Sequence, residues 1–244
     1  MNTSSQPNSF KYLAVIVSFF VAVLVVSNIA SSAKIVDLGI SLFSIPLVFD
    51  GGTLLFPLAY VLGDVLTEVY GFKTTRQVIW TGFAALVLTA FVFFVLGALP
   101  PEAFWEAETG GTVAYNAILG GISYGGIVLA SLTAYLAGEF SNAAILSKLK
   151  VKMKGRFLWV RTIGSTLVGE LLDTLIFVLI ASAAGVFGWE IFWSLVLTNY
   201  ILKCGIEVLM TPFTYWASYF LKRKEGIDVY DEGVKYRLFT RNLR

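Results

Sequence analysis

The residues of this chain that could do chemistry are ionisable side chains inside long apolar segments. Asp64 and Glu68 lie four positions apart, so on a helix they share one face. Glu170 and Asp173 are three positions apart in a later apolar segment, and Lys203 lies in the last one. Carboxylates and an ammonium group in this pattern could bind a polar solute through charge-assisted hydrogen bonds, exchange protons or pair with one another.

These charges are informative because of the composition around them. The 244 residues are 57% hydrophobic and 14% charged, with a mean hydropathy of +0.78, whereas soluble domains carry about 25% charged residues. The expected solvent is therefore a lipid bilayer, at whose centre an ionised side chain costs about 2.5–3.5 kcal/mol. We predict that the second, fifth and sixth apolar segments turn their charged faces toward one interior cavity near the middle of the membrane.

A second interpretation is that the charges only hold helices together. Lys203 could pair with Glu207 in its own helix, or with Asp173 across two helices. Arg161 and Glu139 are expected near helix ends, where long side chains can reach the lipid headgroups. Carboxylates outnumber cations near the predicted midplane, so pairing leaves some acids that need a proton, a ligand or water. This excess favours a function for the cluster.

Composition also excludes several classes of protein. The chain has no histidine and a single cysteine, Cys204, so Ser-His-Asp catalysis, a Cys-cluster metal site and an intrachain disulfide are not expected. No G-x-x-x-x-G-K-[ST] phosphate loop is present, so the chain does not itself hydrolyse ATP. Paired carboxylates could serve an intramembrane enzyme, but no nucleophile motif supports that class. We expect a transporter without catalytic residues, metal or cofactor.

Six segments are long and apolar enough to cross about 30 Å of hydrocarbon. They are 12–33, 53–71, 78–99, 116–140, 158–184 and 191–221. We therefore predict an all-α membrane protein, with a six-helix domain over 1–222 and a basic tail over 223–244. The first apolar run exceeds the 7–15 residues of a typical secretory signal, so we expect it to remain as a span.

The basic residues predict the orientation, since Lys and Arg collect in short cytoplasmic loops. Fifteen of the eighteen fall on one side of a six-span chain. The opposite side carries Lys34 and several acids, including Asp50. Both termini are expected in the cytoplasm. This rule accounts for the basic loop and tail without a nucleic-acid partner.

Three local patterns leave alternatives open. The connection 35–50 has a turn signal at Asp37-Leu38-Gly39 between β-branched residues, and either an external hairpin or a loop resting on the bundle fits it. Small residues recur every four positions in the fourth segment, which suits packing inside the bundle or a homodimer. They are Gly126, Ala130, Ala134 and Gly138. A similar row in the first segment could be ordinary packing or a docking seam for an ATPase. It consists of Ala14, Ser18 and Ala22.

A short internal similarity suggests a repeat. Gly-Asp-Val-Leu-Thr-Glu at 63–68 is similar to Gly-Glu-Leu-Leu-Asp-Thr at 169–174. The two stretches lie in corresponding helices of a three-plus-three division, and halves of three spans are inverted in the membrane, as in many transporters. An inverted repeat is the hypothesis that follows.

Two motifs connect the chain with a known family. Asp-Val-Leu-Thr-Glu-Val-Tyr-Gly at 64–71, followed by Arg76, resembles the queuosine precursor transporter family, also called the vitamin uptake transporter family. So does Arg-Thr-Ile-Gly-Ser-Thr at 161–166, continuing to Asp-Thr at 173–174 and to Phe177. The likeness extends roughly from the first span to Pro212. It implies a six-helix inner-membrane protein that imports 7-deazaguanine compounds, and kinship with the substrate-binding subunits of energy-coupling-factor vitamin transporters.

The resemblance and the charge pattern together define the predicted site. The family motifs place Asp64, Glu68, Tyr70, Arg161, Ser165 and Asp173 in it. The full predicted substrate-binding set is Asp64, Glu68, Arg161, Ser165, Glu170, Asp173 and Lys203. The predicted supporting residues are Asn28, Tyr70, Asn199 and Glu207.

The chemistry of a guanine-like ring fits this set. One carboxylate can accept both the ring N–H and the exocyclic amine, while the ring carbonyl needs a donor such as Lys203 or Arg161. Our hypothesis assigns Asp173 or Glu170 to the ring edge and Lys203 to the carbonyl. Asp64 or Glu68 would serve gating, proton coupling or an aminomethyl group on the substrate. The alternative is a vitamin-binding subunit that needs a partner ATPase.

Overall fold

The computed structural model describes residues 10–42, 45–123 and 125–239, and most of them are helical. The helices are α1 (Leu13–Ala33), α2 (Phe56–Ala98), α3 (Ala103–Glu108), α4 (Gly111–Ser123), α5 (Gly126–Lys152), α6 (Leu158–Ala183) and α7 (Phe192–Glu225). The strands are β1 (Ile35–Leu42) and β2 (Ile45–Asp50), and short 3-10 helices cover Gly51–Leu54 and Trp189–Ile191.

The predicted helical membrane protein is confirmed. Within the described ranges, four helical stretches are long and apolar enough to cross a membrane: Leu13–Ala33, Phe56–Ala98, Leu158–Ala183 and Trp189–Glu225. Large apolar side chains cover the outside of the bundle; Leu88 is 61% exposed and Leu209 is 79% exposed. Such a surface suits lipid and would be an aggregation liability in water. The protein is therefore a multi-pass membrane protein, and the number of six crossings stays a prediction.

The second and third predicted segments are the two halves of α2, which meet at Gly71 with no intervening loop, so the loop predicted between 71 and 78 is wrong. A straight helix of 43 residues would be about 65 Å long, twice the hydrocarbon thickness. Gly71 interrupts α2 with φ 81° and ψ 167°. The hydroxyl groups of Thr67 and Thr75 lie 3.1 Å apart, whereas residues eight apart on a straight helix are separated by about 12 Å. The chain thus turns sharply at one glycine, which tolerates positive φ.

The fourth predicted segment, 116–140, has wrong bounds. The chain breaks at Gly125, whose φ is 85°, so that α4 ends before it and α5 begins after it. At its other end α5 continues to Lys152, into the basic stretch 148–156 between the fourth and fifth predicted segments, which the sequence suggested as a loop. The helix can continue because Lys150 is 1% exposed and its ammonium group is paired with acids.

The connection after α1 is a β-hairpin, as one of the two interpretations predicted. Its strands pair antiparallel from Ile35 opposite Asp50, with an irregularity between Asp37 and Ser41. The Asp37 side chain accepts a hydrogen bond from the Gly39 backbone N–H, which stabilises the local bend. The turn residues 43–44 lie outside the described part of the chain. An external position of the hairpin remains a prediction.

Helices α5 and α6 cross closely at small residues. A Cβ at Gly169 would lie 2.9 Å from the Cβ of Asn142 and 3.1 Å from the Gly138 carbonyl oxygen. Ala130 and Ala134, in the same row of small residues, are at most 1% exposed. This row is therefore used for packing inside the bundle, which is one of the two roles that the sequence left open.

The chain after α7 packs on the break in α2. A carboxylate oxygen of Asp231 accepts hydrogen bonds from the Phe72 backbone N–H, at 2.8 Å, and from the Ser147 hydroxyl, at 2.7 Å. The Val229 backbone N–H donates to the Val69 carbonyl oxygen at 3.3 Å. The start of the predicted basic tail is thus the end of α7 followed by a segment held against α2 and α5.

The α5–α6 crossing yields a stability prediction. In Gly138→Ala, the new Cβ would contact the Tyr60 hydroxyl and lie 2.8 Å from the Cβ of Asp173. Overpacking costs about 1–3 kcal/mol, which exceeds the roughly 1 kcal/mol that alanine adds to a helix. We expect a lower midpoint of thermal unfolding in detergent. Gly205→Ala in α7, where nothing lies within 4 Å, should leave the midpoint unchanged or raise it. Equal unfolding midpoints for Gly138→Ala and Gly205→Ala would contradict the close packing of α5 against α6 at Gly138.

Candidate functional site

A polar cleft lies between the helices and holds about 470 Å³ of empty space, including its open mouth. The end of α1, the starts of α2, α5 and α7, and the second half of α6 all contribute to its wall. Its principal polar residues are Asn28, Asp50, Ser131, Asp173, Asn199 and Lys203. Phe56, Tyr135 and Phe177 add aromatic surface. Apolar walls with a few converging polar groups are typical of small-molecule sites.

Among the described residues that line this cleft, Lys203 is the only cation. Its Nζ lies 2.6 Å from Asp173 Oδ2, 3.2 Å from Glu170 Oε2 and 4.9 Å from the centre of the Phe56 ring. The pairing joins α6 to α7, so Lys203 pairs with Asp173 rather than with Glu207. Glu170 is fully buried, whereas the Asp173 side chain is 13% exposed and lines the cleft. A donor and an acceptor thus lie side by side at the cleft wall.

Asp50 is a cleft residue that the sequence analysis missed. Its carboxylate accepts hydrogen bonds from the Ser31 hydroxyl at 2.5 Å, the Gly52 backbone N–H at 3.0 Å, the Thr53 hydroxyl at 3.0 Å and the Asn199 amide at 3.2 Å. These bonds tie the base of the hairpin to α1 and α7. The available signal for Asp50 was its position as a helix cap, since an aspartate directly before a short helical turn often accepts hydrogen bonds from the backbone N–H groups of that turn.

A second group of charges lies at the other end of the bundle and centres on Glu68. Its Oε1 lies 3.2 Å from Arg161 Nη2, 2.5 Å from Lys222 Nζ and 3.7 Å from Lys150 Nζ. Glu68 is fully buried and Arg161 is 1% exposed, so Arg161 does not extend to the lipid headgroups. We call Glu68, Arg161, Lys150, Lys222 and Asp228 the tail-end network.

Asp228 brings the chain after α7 into the tail-end network. Its Oδ1 lies 2.5 Å from Lys150 Nζ and 2.9 Å from Lys222 Nζ. Burial alone would raise the pKa of Asp228, but the hydrogen bonds from the two lysines outweigh it, so the pKa lies below its ordinary value. Asp228 therefore stays ionised at neutral pH and offsets part of the excess positive charge around Glu68.

A third group of acids lies between the cleft and the tail-end network. Asp64 accepts a hydrogen bond from the Asn142 amide at 2.7 Å and is fully buried. Along α2 it stands between the cleft residue Phe56 and Glu68. Glu207 occupies the same intermediate position in α7, between Lys203 and Lys222. Along α5, Glu139 lies between Tyr135 at the cleft and Lys150.

The structure separates the predicted site residues. Glu170, Asp173 and Lys203 come together with Asn28 and Asn199 around the cleft. Glu68 and Arg161 lie in the tail-end network, while Asp64 and Glu207 lie in between. Two predicted residues are elsewhere. The Ser165 hydroxyl is buried and donates to the Thr162 carbonyl oxygen at 2.9 Å, and the Tyr70 hydroxyl donates to Glu225 at 3.0 Å.

A multi-pass helical bundle with charged groups around a polar internal cleft has the architecture of a membrane transporter. Comparison with known proteins gives the family. The family model described as "Putative vitamin uptake transporter" matches residues 50–217, which is 168 of the 244 residues. The chain belongs to this family, the queuosine precursor transporters.

Two curated relatives agree with this assignment. A protein of Bacillus subtilis (strain 168) named "Probable queuosine precursor transporter" is 26% identical over 175 residues, covering 71% of this chain and 73% of the relative. The "Queuosine precursor transporter" of Escherichia coli (strain K12) is 25% identical over 211 residues, covering 86% of this chain and 87% of the relative. No solved structure matches the chain.

The tail-end network yields a second stability prediction. In Glu68→Gln, three cations lose a shared buried partner, and breaking a buried ion pair on one side costs about 3–5 kcal/mol. Asp228→Asn should have a smaller effect because the Asp228 side chain is 41% exposed and solvent screens its charge. Midpoints of thermal unfolding in detergent would show which of the two variants is less stable. A Glu68→Gln midpoint at or above that of Asp228→Asn would show that Glu68 does not hold the network together.

Proposed function

We propose that this protein imports queuosine precursors, and that the cleft at Lys203 and Asp173 binds the 7-deazaguanine ring. The proposed substrates are the cyano- and aminomethyl-bearing deazaguanines and queuine. The observation that carries the proposal is the Lys203–Asp173 pair, an ammonium donor and a carboxylate acceptor 2.6 Å apart at the wall of a polar cleft. The names of both curated relatives support the substrate class.

The pair is complementary to one edge of the ring. A guanine-type edge presents a carbonyl oxygen, a ring N–H and an exocyclic amine in sequence. The Lys203 ammonium group can donate to the carbonyl oxygen, while Asp173 accepts from the two N–H groups in a planar fork. Phe56 and Phe177 line the same cleft and offer apolar surface to the ring.

The two charged ends of the bundle suit alternating access. We propose six crossings, formed by α1, the two halves of α2 (56–70 and 72–98), α5, α6 and α7, with both termini in the cytoplasm of a cell whose inner membrane holds the protein. The cleft then lies toward the outside, next to the hairpin. The tail-end network closes the cytoplasmic end, so release of the substrate inward requires its ion pairs to separate.

A vitamin-binding subunit of an energy-coupling-factor transporter is the second candidate. Ala14, Ser18 and Ala22 are exposed on one side of α1 and are therefore available to lipid or to a partner protein. Co-purification of a stoichiometric ATPase complex would favour this candidate. A homodimer can be examined in the same preparation from its mass in detergent.

Binding by the purified protein tests the proposal. We would titrate the aminomethyl- and cyano-deazaguanines and queuine, with guanine, biotin and riboflavin as comparison ligands. Asp173→Asn removes a charged acceptor, and hydrogen bonds to charged groups contribute about 1.5–3 kcal/mol, so Kd should rise roughly 10- to 150-fold. The matched control is Glu106→Gln, which alters an exposed acid in α3.

The outcomes separate the candidates. Unchanged affinity of a folded Asp173→Asn variant for a deazaguanine would show that the ring does not bind at this pair. Selective binding of biotin or riboflavin with no deazaguanine binding would favour the vitamin-binding subunit.

A further inference from the structure

Three buried acids in the middle of the bundle have no counter-charge. Asp64, Glu139 and Glu207 come from α2, α5 and α7 and are at most 2% exposed. Among the residues that the structure describes, none of the three forms an ion pair. Glu139 Oε2 has no hydrogen-bond donor there, and the carboxyl groups of Asp64 and Glu207 meet each other, a contact that is a hydrogen bond only when one of them carries a proton. The binding proposal above does not use these groups.

A buried hydroxyl next to these acids is also unpartnered. Tyr60 is 3% exposed, and its hydroxyl has no hydrogen-bond partner in the described part of the chain. The hydroxyl lies at the α5–α6 crossing and interacts electrostatically with Glu139, Glu170 and Asp173. It extends the row of groups that can carry a proton from the middle acids to the cleft.

The charged groups around these three acids determine whether the acids are protonated. Asp64 faces Glu207, Glu139 and Glu68, and Glu139 faces Glu170, Asp173 and Glu207 as well as Lys203. Lys203 is held by Asp173 and Glu170, while Lys150, Arg161 and Lys222 pair with Glu68. An ionised carboxylate without a partner in an apolar interior costs several kcal/mol, and such a group neutralises instead.

We propose that Asp64, Glu139 and Glu207 form a proton-binding site that couples solute movement to proton movement. The inference rests on the proposed transport function. The site lies between the cleft and the tail-end network, so it can exchange protons with one side of the membrane when the cleft is open and with the other when the network separates. In each cycle a carboxylate oxygen takes a proton from water on one side and returns it to water on the other.

The first experiment detects protonated carboxyl groups directly and does not depend on transport. Infrared difference spectra of the purified protein, recorded while pH is varied without substrate, report the C=O stretch of protonated carboxyl groups. We expect this signal at neutral pH, its partial loss in Glu207→Gln and in Glu139→Gln, and no change in the exposed control Glu106→Gln. Because the two variants lie in different helices, α7 and α5, the test remains possible if one of them does not fold. Absence of the signal, or its full retention in both folded variants, would overturn the proton site.

The second experiment tests coupling in proteoliposomes. Uptake of labelled aminomethyl-deazaguanine should rise when the outside is made acidic and lose this response with a protonophore. Glu207→Gln should bind the compound but lose the response to the gradient, while Glu106→Gln keeps it. Wild-type uptake that does not change with the pH gradient would overturn the proposed coupling.

The two proposals fail in distinguishable ways. If no deazaguanine binds but the infrared signal behaves as expected, the substrate assignment fails and the proton site stands. If a deazaguanine binds and the signal is missing, the proton site alone fails.

Discussion

An ionised side chain in a bilayer interior must meet an opposite charge, a hydrogen-bond donor or a proton, and the interior of this protein is arranged around that requirement. At the cleft Lys203 contacts two carboxyl groups, Asp173 and Glu170. At the opposite end Glu68 contacts three cations, and Asp228 offsets part of their excess positive charge. Between the two ends, in the described part of the chain, lie the acids Asp64, Glu139 and Glu207, the Tyr60 hydroxyl and the Asn142 amide, and none of the three acids pairs with a cation there. The bundle therefore has a cluster of paired charges at each end and acids without a paired cation in the middle, a division that suits opening at one end at a time.

Glycines in the helices make this arrangement possible. The reversal at Gly71 places Glu68 at a helix end, where the segment after α7 can reach the break and satisfy the freed Phe72 N–H through Asp231. The close approach at Gly138 and Gly169 brings α5 against α6, and it sets Tyr60 beside Asp173. Protein groups thus satisfy the polar backbone at the Gly71 break, where Asp231 accepts from the Phe72 N–H and the Val69 carbonyl oxygen accepts from the Val229 N–H.

The hairpin and the chain after α7 have comparable roles at the two ends. Asp50, the last residue of β2, binds α1 and α7 through Ser31 and Asn199, so the hairpin is anchored at the cleft. Asp228 and Asp231 anchor the other segment at the break in α2. Each connection thus uses an aspartate to hold the ends of helices that would have to move during transport. The family assignment agrees with a molecule built for such movement.

The sequence by itself determined the membrane class, the family and the presence of buried charge, because apolar length, motif residues and rare intramembrane ions are local properties. It also identified Asp173 and Lys203, which line the cleft, and Glu170 beside them; the pairing of Lys203 with Asp173 across helices was one of two stated alternatives. Only the tertiary structure decided how the predicted residues divide, since Glu68 and Arg161 pair far from Lys203 although all share the same composition signal. Helix bounds at Gly71 and Gly125 and the role of Asp50 depended on contacts from distant parts of the chain. Hydropathy does not encode which helix faces which neighbour, so partners that lie more than a hundred residues apart appear only when the bundle is assembled.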